Sequence, residues 1–369
     1  MLKRVLAVGA AGALMLGVAA CGSDDSSAGS SGSSATPAPK ARVGVILPDT
    51  QSSARWENAD RPFLAKAFKA AGVDSDIQNA NGDKAKFATI ADQMLNEGVN
   101  VMLIVNLDSP SAAAVINKAH QQGVPVIDYD RLTLGGGADY YVSFDNVAVG
   151  TAQGEGLVKC MQANGDKSGP VALLNGSPTD NNATLFKQGY EKAIKAAGYT
   201  IAADQSVPDW DNTKAGTIFE QMFTKANGKF VGVDSANDGL GGAVAAVLAR
   251  NGDSKTIPTT GQDATDEGLQ RVLLGTQCMT VYKAVNKEAD AASKLAIDLA
   301  KGDKTAADAL ATGQVEDTET HKQVKSVLLQ PQAIFADSVK DVINDGFTTS
   351  AKICTTAALK KACTANGIS

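Results

Sequence analysis

Histidine is nearly missing from this sequence: two, His120 and His321, occur in 369 residues, both in polar helix or loop settings. No C-x-x-C pair accompanies them, so a metal centre lacks its usual ligands and no cofactor is expected. There is no serine nucleophile elbow either, which removes the common parts of acyl-transfer chemistry. Lysine and arginine do not outnumber the acids; the net charge is -6, which leaves no basic footprint for nucleic acid. Aromatic residues make up only 5% of the chain, so the two tryptophans, Trp56 and Trp210, stand out in their loops. After the first twenty residues no apolar run is long enough to span a bilayer.

The start of the chain has its own composition. Met1-Leu2-Lys3-Arg4 is basic, 5–20 is apolar over the length of a signal-peptide core, and the run ends in Val18-Ala19-Ala20-Cys21. Small residues before a cysteine resemble the lipobox of bacterial lipoproteins. The expectation is a signal peptide at 1–20, acylation of Cys21, and a flexible Ser/Gly/Pro tether at 21–40 holding an exported body at the outer face of the cytoplasmic membrane. With Cys21 set aside, four cysteines remain, Cys160, Cys278, Cys354 and Cys363, in a compartment where disulfides persist. Cys354 and Cys363 are close enough in sequence to close a small loop, which would leave Cys160 for Cys278; three pairings stay open.

From Arg42 onward short β-branched runs alternate with amphipathic helices, the mark of βαβ units and parallel sheets. Strands are expected at 43–47, 76–78, 101–105, 124–131 and 140–146, with helices at 62–71, 85–96 and 111–122 between them. A second block repeats the pattern, with strands at 171–174, 200–202, 230–233, 257–261 and 277–282. The fold class is therefore α/β, two Rossmann-like lobes with a cleft between them. A long helix at 284–301, a strand at 324–329 and a helix at 336–344 are left over once both halves are built. The chain must cross between lobes several times, forming a multi-strand hinge. The expected division is 41–146 plus 283–322 for the first lobe, and 147–282 plus 323–369 for the second.

Polar and aromatic residues recur at the strand ends, where open α/β sheets bind ligands. Arg55-Trp56 follows the first strand and Asp130-Arg131 the fourth; Asp180 and Asn182, Asp209-Trp210, Asn237-Asp238, Gln262-Asp263 and Lys283 complete the set. Indole faces suit the C–H faces of a pyranose, while Asp, Asn, Arg and Lys suit its hydroxyls. Each has a plainer alternative: a surface ion pair for Asp130-Arg131, a core lid for a loop Trp, a helix N-cap for Asn237, a solvated lysine for Lys283.

As a set, Arg55-Trp56, Asn79-Ala80-Asn81-Gly82, Tyr129-Asp130-Arg131, Ser143-Phe144-Asp145-Asn146, Gly176-Ser177-Pro178 with Asp180-Asn181-Asn182, Gly261-Gln262-Asp263 and Thr280-Val281-Tyr282-Lys283 resemble the sugar-binding proteins of bacterial ABC importers. These form the ribose-binding, or type I periplasmic binding protein, superfamily. The likeness runs from about Val43 to Phe347; Cys278 and the Cys354/Cys363 tail depart from it. The resemblance implies Trp56 and Trp210 as a stacking pair. It implies Arg55, Asp130 and Arg131 as contacts from the first lobe, with Asp180, Asn182, Asn237, Asp263 and Lys283 from the second lobe and the crossings. It further implies a monosaccharide ligand, D-xylose favoured and a glucose/galactose-type aldose as the alternative, together with a partner permease and its ATPase subunits, a monomer, and no catalysis. A secreted glycosidase is the distant alternative, since three cleft carboxylates are present, and a DNA-binding regulator of the same fold would need a helix-turn-helix where this chain has a leader.

Overall fold

A computed structural model describes residues 41–369; the expected signal peptide, the acylated Cys21 and the tether up to residue 40 lie outside the described residues. The first lobe is built on β1 (Arg42–Leu47), β2 (Asp74–Asn79), β3 (Val101–Ile104), β4 (Val126–Tyr129) and β5 (Tyr140–Phe144). Helices α1 (Arg61–Ala70), α2 (Lys84–Asn96) and α3 (Ser109–Gln121) connect the first four strands. Strand β1 explains the layering. It pairs in parallel with β2 on one side and β3 on the other, and is buried along all but its first residue. Its side chains alternate: Val43, Val45 and Leu47 pack with Leu64 and Phe68 of α1, while Ile46 packs with the opposite layer around Phe87 and Ile116. Gly44 leaves room for that second layer, since a Cβ there would stand 2.8 Å from Met94 Sδ.

The second lobe follows as α4 (Asn146–Ala163), β6 (Pro170–Asn175), α5 (Asn181–Ala196), β7 (Thr200–Ser206), α6 (Asn212–Lys225), β8 (Gly232–Ser235), α7 (Asp238–Asn251), α8 (Asp266–Leu274) and β9 (Thr280–Tyr282). Its parallel sheet has the order β7-β6-β8. The stretch expected as a strand at 257–261 pairs with β8 only at Thr259. The reason is local: Pro258 has no N–H to give, and the N–H of Ser235 is taken by Thr260 Oγ1 at 2.9 Å rather than by a backbone carbonyl.

The chain then returns through α9 (Val285–Ala300), α10 (Lys304–Leu310), β10 (Gly313–Asp317) and β11 (Lys322–Leu329) to the first lobe, completing a seven-stranded sheet of order β10-β11-β5-β4-β3-β1-β2. Strand β11 runs parallel to β5, so the sequence-based boundary at 322/323 is corrected: the last crossing falls after Leu329. Strand β12 (Gln332–Ile334) pairs antiparallel with β9, and α11 (Val339–Asn344), α12 (Ser350–Ile353) and α13 (Ala357–Ala365) pack on α8 in a small core of their own. Three segments thus join the lobes, and two are tied together where the N–H of Asp145 donates to the carbonyl of Leu329 at 2.9 Å. The structure pairs Cys354 with Cys363 within that tail and Cys160 of α4 with Cys278 before β9.

Candidate functional site

Helix N-termini in both lobes follow strand C-termini, and each needs an acceptor for its free N–H groups. The residues supplying that acceptor include Asp180 for α5 and Asn237 for α7. Capping thus places two of the expected site residues at the mouth of the cleft before any ligand is considered. All ten, Arg55, Trp56, Asp130, Arg131, Asp180, Asn182, Trp210, Asn237, Asp263 and Lys283, line one cavity between the lobes.

The first-lobe wall is held by charge. Asp130 leaves β4 with φ +64°, a conformation uncommon for a residue with a side chain, and its carbonyl accepts from Ser143 Oγ at 2.8 Å and Tyr141 Oη at 3.1 Å. Arg55 donates to Asp130 at 2.8 Å, to both oxygens of Asp60 at 3.0 and 2.8 Å, and to Glu288 at 2.6 Å. Four of its five N–H bonds are thereby committed within the protein, and the group lies 4.5 Å from the Trp56 ring centroid. Burial opposes its charge, but Asp60, Glu288 and Asp130 more than offset this and raise its pKa. Asp130 is likewise pushed up by burial and pulled down further by Lys283, Arg55 and Arg131, so it stays ionised. Glu288 goes the other way, raised to about 8, because burial outweighs Arg55. Trp56 donates its indole N–H to Ser52 Oγ at 2.9 Å.

The second-lobe wall is held by backbone shape. Asp209 and Trp210 adopt φ +61° and +56° in succession, which turns the Trp210 ring back over β6. Gly176 is required there, since a Cβ would lie 2.1 Å from two carbons of the indole. Trp210 donates its N–H to Asp180 Oδ2 at 3.1 Å, and Phe186 meets the ring edge-on with centroids 6.5 Å apart. Asp263 stands at φ +90°, its N–H bonded to Val281 and its Oδ1 3.2 Å from Lys283 Nζ, an ion pair without hydrogen-bond alignment. Burial lowers the Lys283 pKa, but Asp263 and Asp130 reverse this and leave it raised.

Polar links close the lobes on one another, among them Arg131 to Asp180 at 3.1 Å, Asn182 Nδ2 to the Asp130 carbonyl at 2.8 Å, Tyr141 Oη to Asn182 Oδ1 at 3.4 Å, Asn237 Nδ2 to the Ser52 carbonyl at 3.1 Å, and Ser53 Oγ to Asp263 at 3.1 Å. Asn237 is thus both a cap and a bridge. Sequence reasoning missed Ser52 and Phe186 on the lining and Asp60 and Glu288 behind it. Phe186 carried a signal, falling one helical turn after Asn182 on the same face; Asp60 and Glu288 carried none.

With this geometry in place, the comparison with known families is direct: the periplasmic binding protein domain matches residues 43–304. The chain belongs to the periplasmic binding protein family. Relatives of this family member are solute-binding proteins of sugar ABC transporters, exported binders rather than enzymes. The D-xylose-binding periplasmic protein of Escherichia coli is 33% identical over 315 residues, 84% of this chain and 92% of that one. A multiple sugar-binding periplasmic receptor from Rhizobium radiobacter is 30% identical, covering 84% and 91%. Among solved structures, a carbohydrate transporter solute-binding protein from Chloroflexus aurantiacus in complex with D-glucose aligns with TM-score 0.74 at 28% identity, covering 84% of this chain and 97% of that one.

Proposed function

We propose that this periplasmic binding protein is the receptor of a sugar ABC importer and that it holds D-xylose in the interlobe cavity. The observation that carries the reading is the lining itself. Two indoles face a small buried space whose other walls are almost wholly polar, and one buried acceptor there, Gln262 Oε1, has no hydrogen-bond partner. Buried acceptors without donors are costly, and a polyhydroxylated ring supplies donors. The lining charges balance, Arg55, Arg131 and Lys283 against Asp130, Asp180 and Asp263, which favours a neutral ligand. Those carboxylates are engaged in ion pairs, so they lack the freedom of a glycosidase acid and nucleophile.

In this reading the hinge opens by breaking these interlobe links, and sugar that touches both walls binds the closed form better and shifts the population toward it. The permease then meets the closed shape, with the monomeric receptor tethered through Cys21. A broader aldose receptor is the second reading, supported by the D-glucose in the Chloroflexus aurantiacus complex. Calorimetric titration of the mature chain with D-xylose, D-glucose, D-ribose and L-arabinose separates them: tight one-to-one xylose binding is expected, equal glucose binding moves the assignment to the broader receptor, and silence for all four removes both.

A further inference from the structure

Resting on that reading, we infer that Phe186 is the residue that separates pentoses from hexoses at this site, by seating the C5 edge of the pyranose. Fourteen residues line the cavity, and only Trp56, Trp210 and Phe186 among them are apolar. An aldopentopyranose has two C–H faces, which suit the two indoles. Around its rim four carbons carry hydroxyls and one position is the ring oxygen, all of which want polar partners. The C5 methylene is the single rim position with nothing to hydrogen-bond. Phe186 is the single stretch of lining, outside the indoles, with nothing to offer. Placing the methylene anywhere else would set a polar wall against it and leave a hydroxyl facing the phenyl ring, unbonded and buried. A hexopyranose replaces one C5 hydrogen by a hydroxymethyl group, which this orientation drives into Phe186.

The wall does not give easily. Phe186 is 2% exposed, meets Trp210 edge-on, and has Lys283 Nζ 5.7 Å from its ring centroid. Its backbone is fixed too, because α5 lies directly on α4 through glycines. A Cβ on Gly150 would stand 1.9 Å from the Phe186 carbonyl oxygen, and one on Gly189 would stand 2.4 Å from the Val147 carbonyl oxygen. Phe186 therefore cannot retreat by a shift of its helix toward α4.

The test titrates the wild-type chain, Phe186→Ala and Phe186→Leu with D-xylose, D-glucose and 6-deoxy-D-glucose. Wild type is expected to prefer xylose over both others by roughly 10- to 200-fold or more, the scale of one carbon in a tight pocket. Phe186→Ala should bring glucose and 6-deoxyglucose to within about tenfold of xylose, mainly by raising their affinity, and Phe186→Leu, which keeps an apolar wall and guards against misfolding of the alanine variant, should fall between. Equal weakening of all three sugars by both variants overturns the assignment, as does wild type that binds glucose or 6-deoxyglucose as tightly as xylose. Those outcomes leave the aldose receptor standing, whereas wild type that binds no sugar removes both.

Discussion

The two walls of the cavity present the same kind of surface, an indole flanked by carboxylates and donors, and hold it in place with different shares of ion pairing and backbone shape. On the first side the atoms are fixed by ion pairing: Arg55 is clamped by Asp60, Asp130 and Glu288. On the second, Trp210 and Asp263 are fixed by unusual backbone angles and by the close approach that Gly176 permits. A wall built on charge fails when a charge is left unpaired; a wall built on backbone shape fails when an atom is added. Substitutions that respect this difference should separate the two.

The largest effect is expected on the first wall. Arg55→Ala leaves buried carboxylates without a counter-ion and should cost about 3–5 kcal/mol of stability, read by urea denaturation; a loss too small to resolve would mean the wall draws its rigidity from elsewhere. On the second wall, Trp210→Ala should weaken binding of the proposed sugar by about 2 kcal/mol or more, roughly 30-fold, by calorimetry. Unchanged affinity would take Trp210 out of the sugar's contacts. Gly176→Ala should displace the ring and cost about 1–3 kcal/mol, accompanied by changed tryptophan fluorescence. Gly216→Ala, inside α6 where an added Cβ meets nothing within 4 Å, is the matched control: it should leave the fluorescence unchanged and stabilise by about 0.5–1 kcal/mol through helix propensity.

A separate, pH-dependent effect concerns Asp234, on β8 in the second lobe. Burial, only partly offset by Thr260, raises its pKa to about 8. The unfolded value lies near 3.9, so between the two the native state holds a proton that the unfolded chain has released. The associated stability is complete below about pH 4 and is lost as pH rises through about 8. Asp234→Asn should therefore flatten the decline of melting temperature between pH 5 and 9; identical slopes for variant and wild type would assign that decline to other groups.

Much of the second wall was legible in the sequence because its residues sit where strands end, and strand ends are readable from hydrophobic period and capping residues. Asp180 and Asn237 are at once caps and lining, so a purely local rule finds them. The supports were not legible. Nothing near Trp210 in sequence announces two consecutive positive φ angles, since neither residue there is glycine or asparagine. Glu288 sits on a helix face that reads as ordinary core and meets Arg55 across 233 positions. The last lobe crossing was misplaced because a strand such as β11 carries the same alternation whichever sheet receives it, and only pairing with β5 decides.

The three crossings also set an order of assembly. The sheet of the second lobe, β7-β6-β8, and the helices α4 to α8 around it come from one uninterrupted stretch of chain. The seven-stranded sheet cannot close until β11 arrives, some 180 residues after β5. In a polypeptide delivered from its N-terminus, of these two sheets the one that begins first is thus the one that closes last. Until residue 329 has emerged, β5 offers an unpaired edge to its surroundings, the period in which a newly made chain is most open to wrong partners.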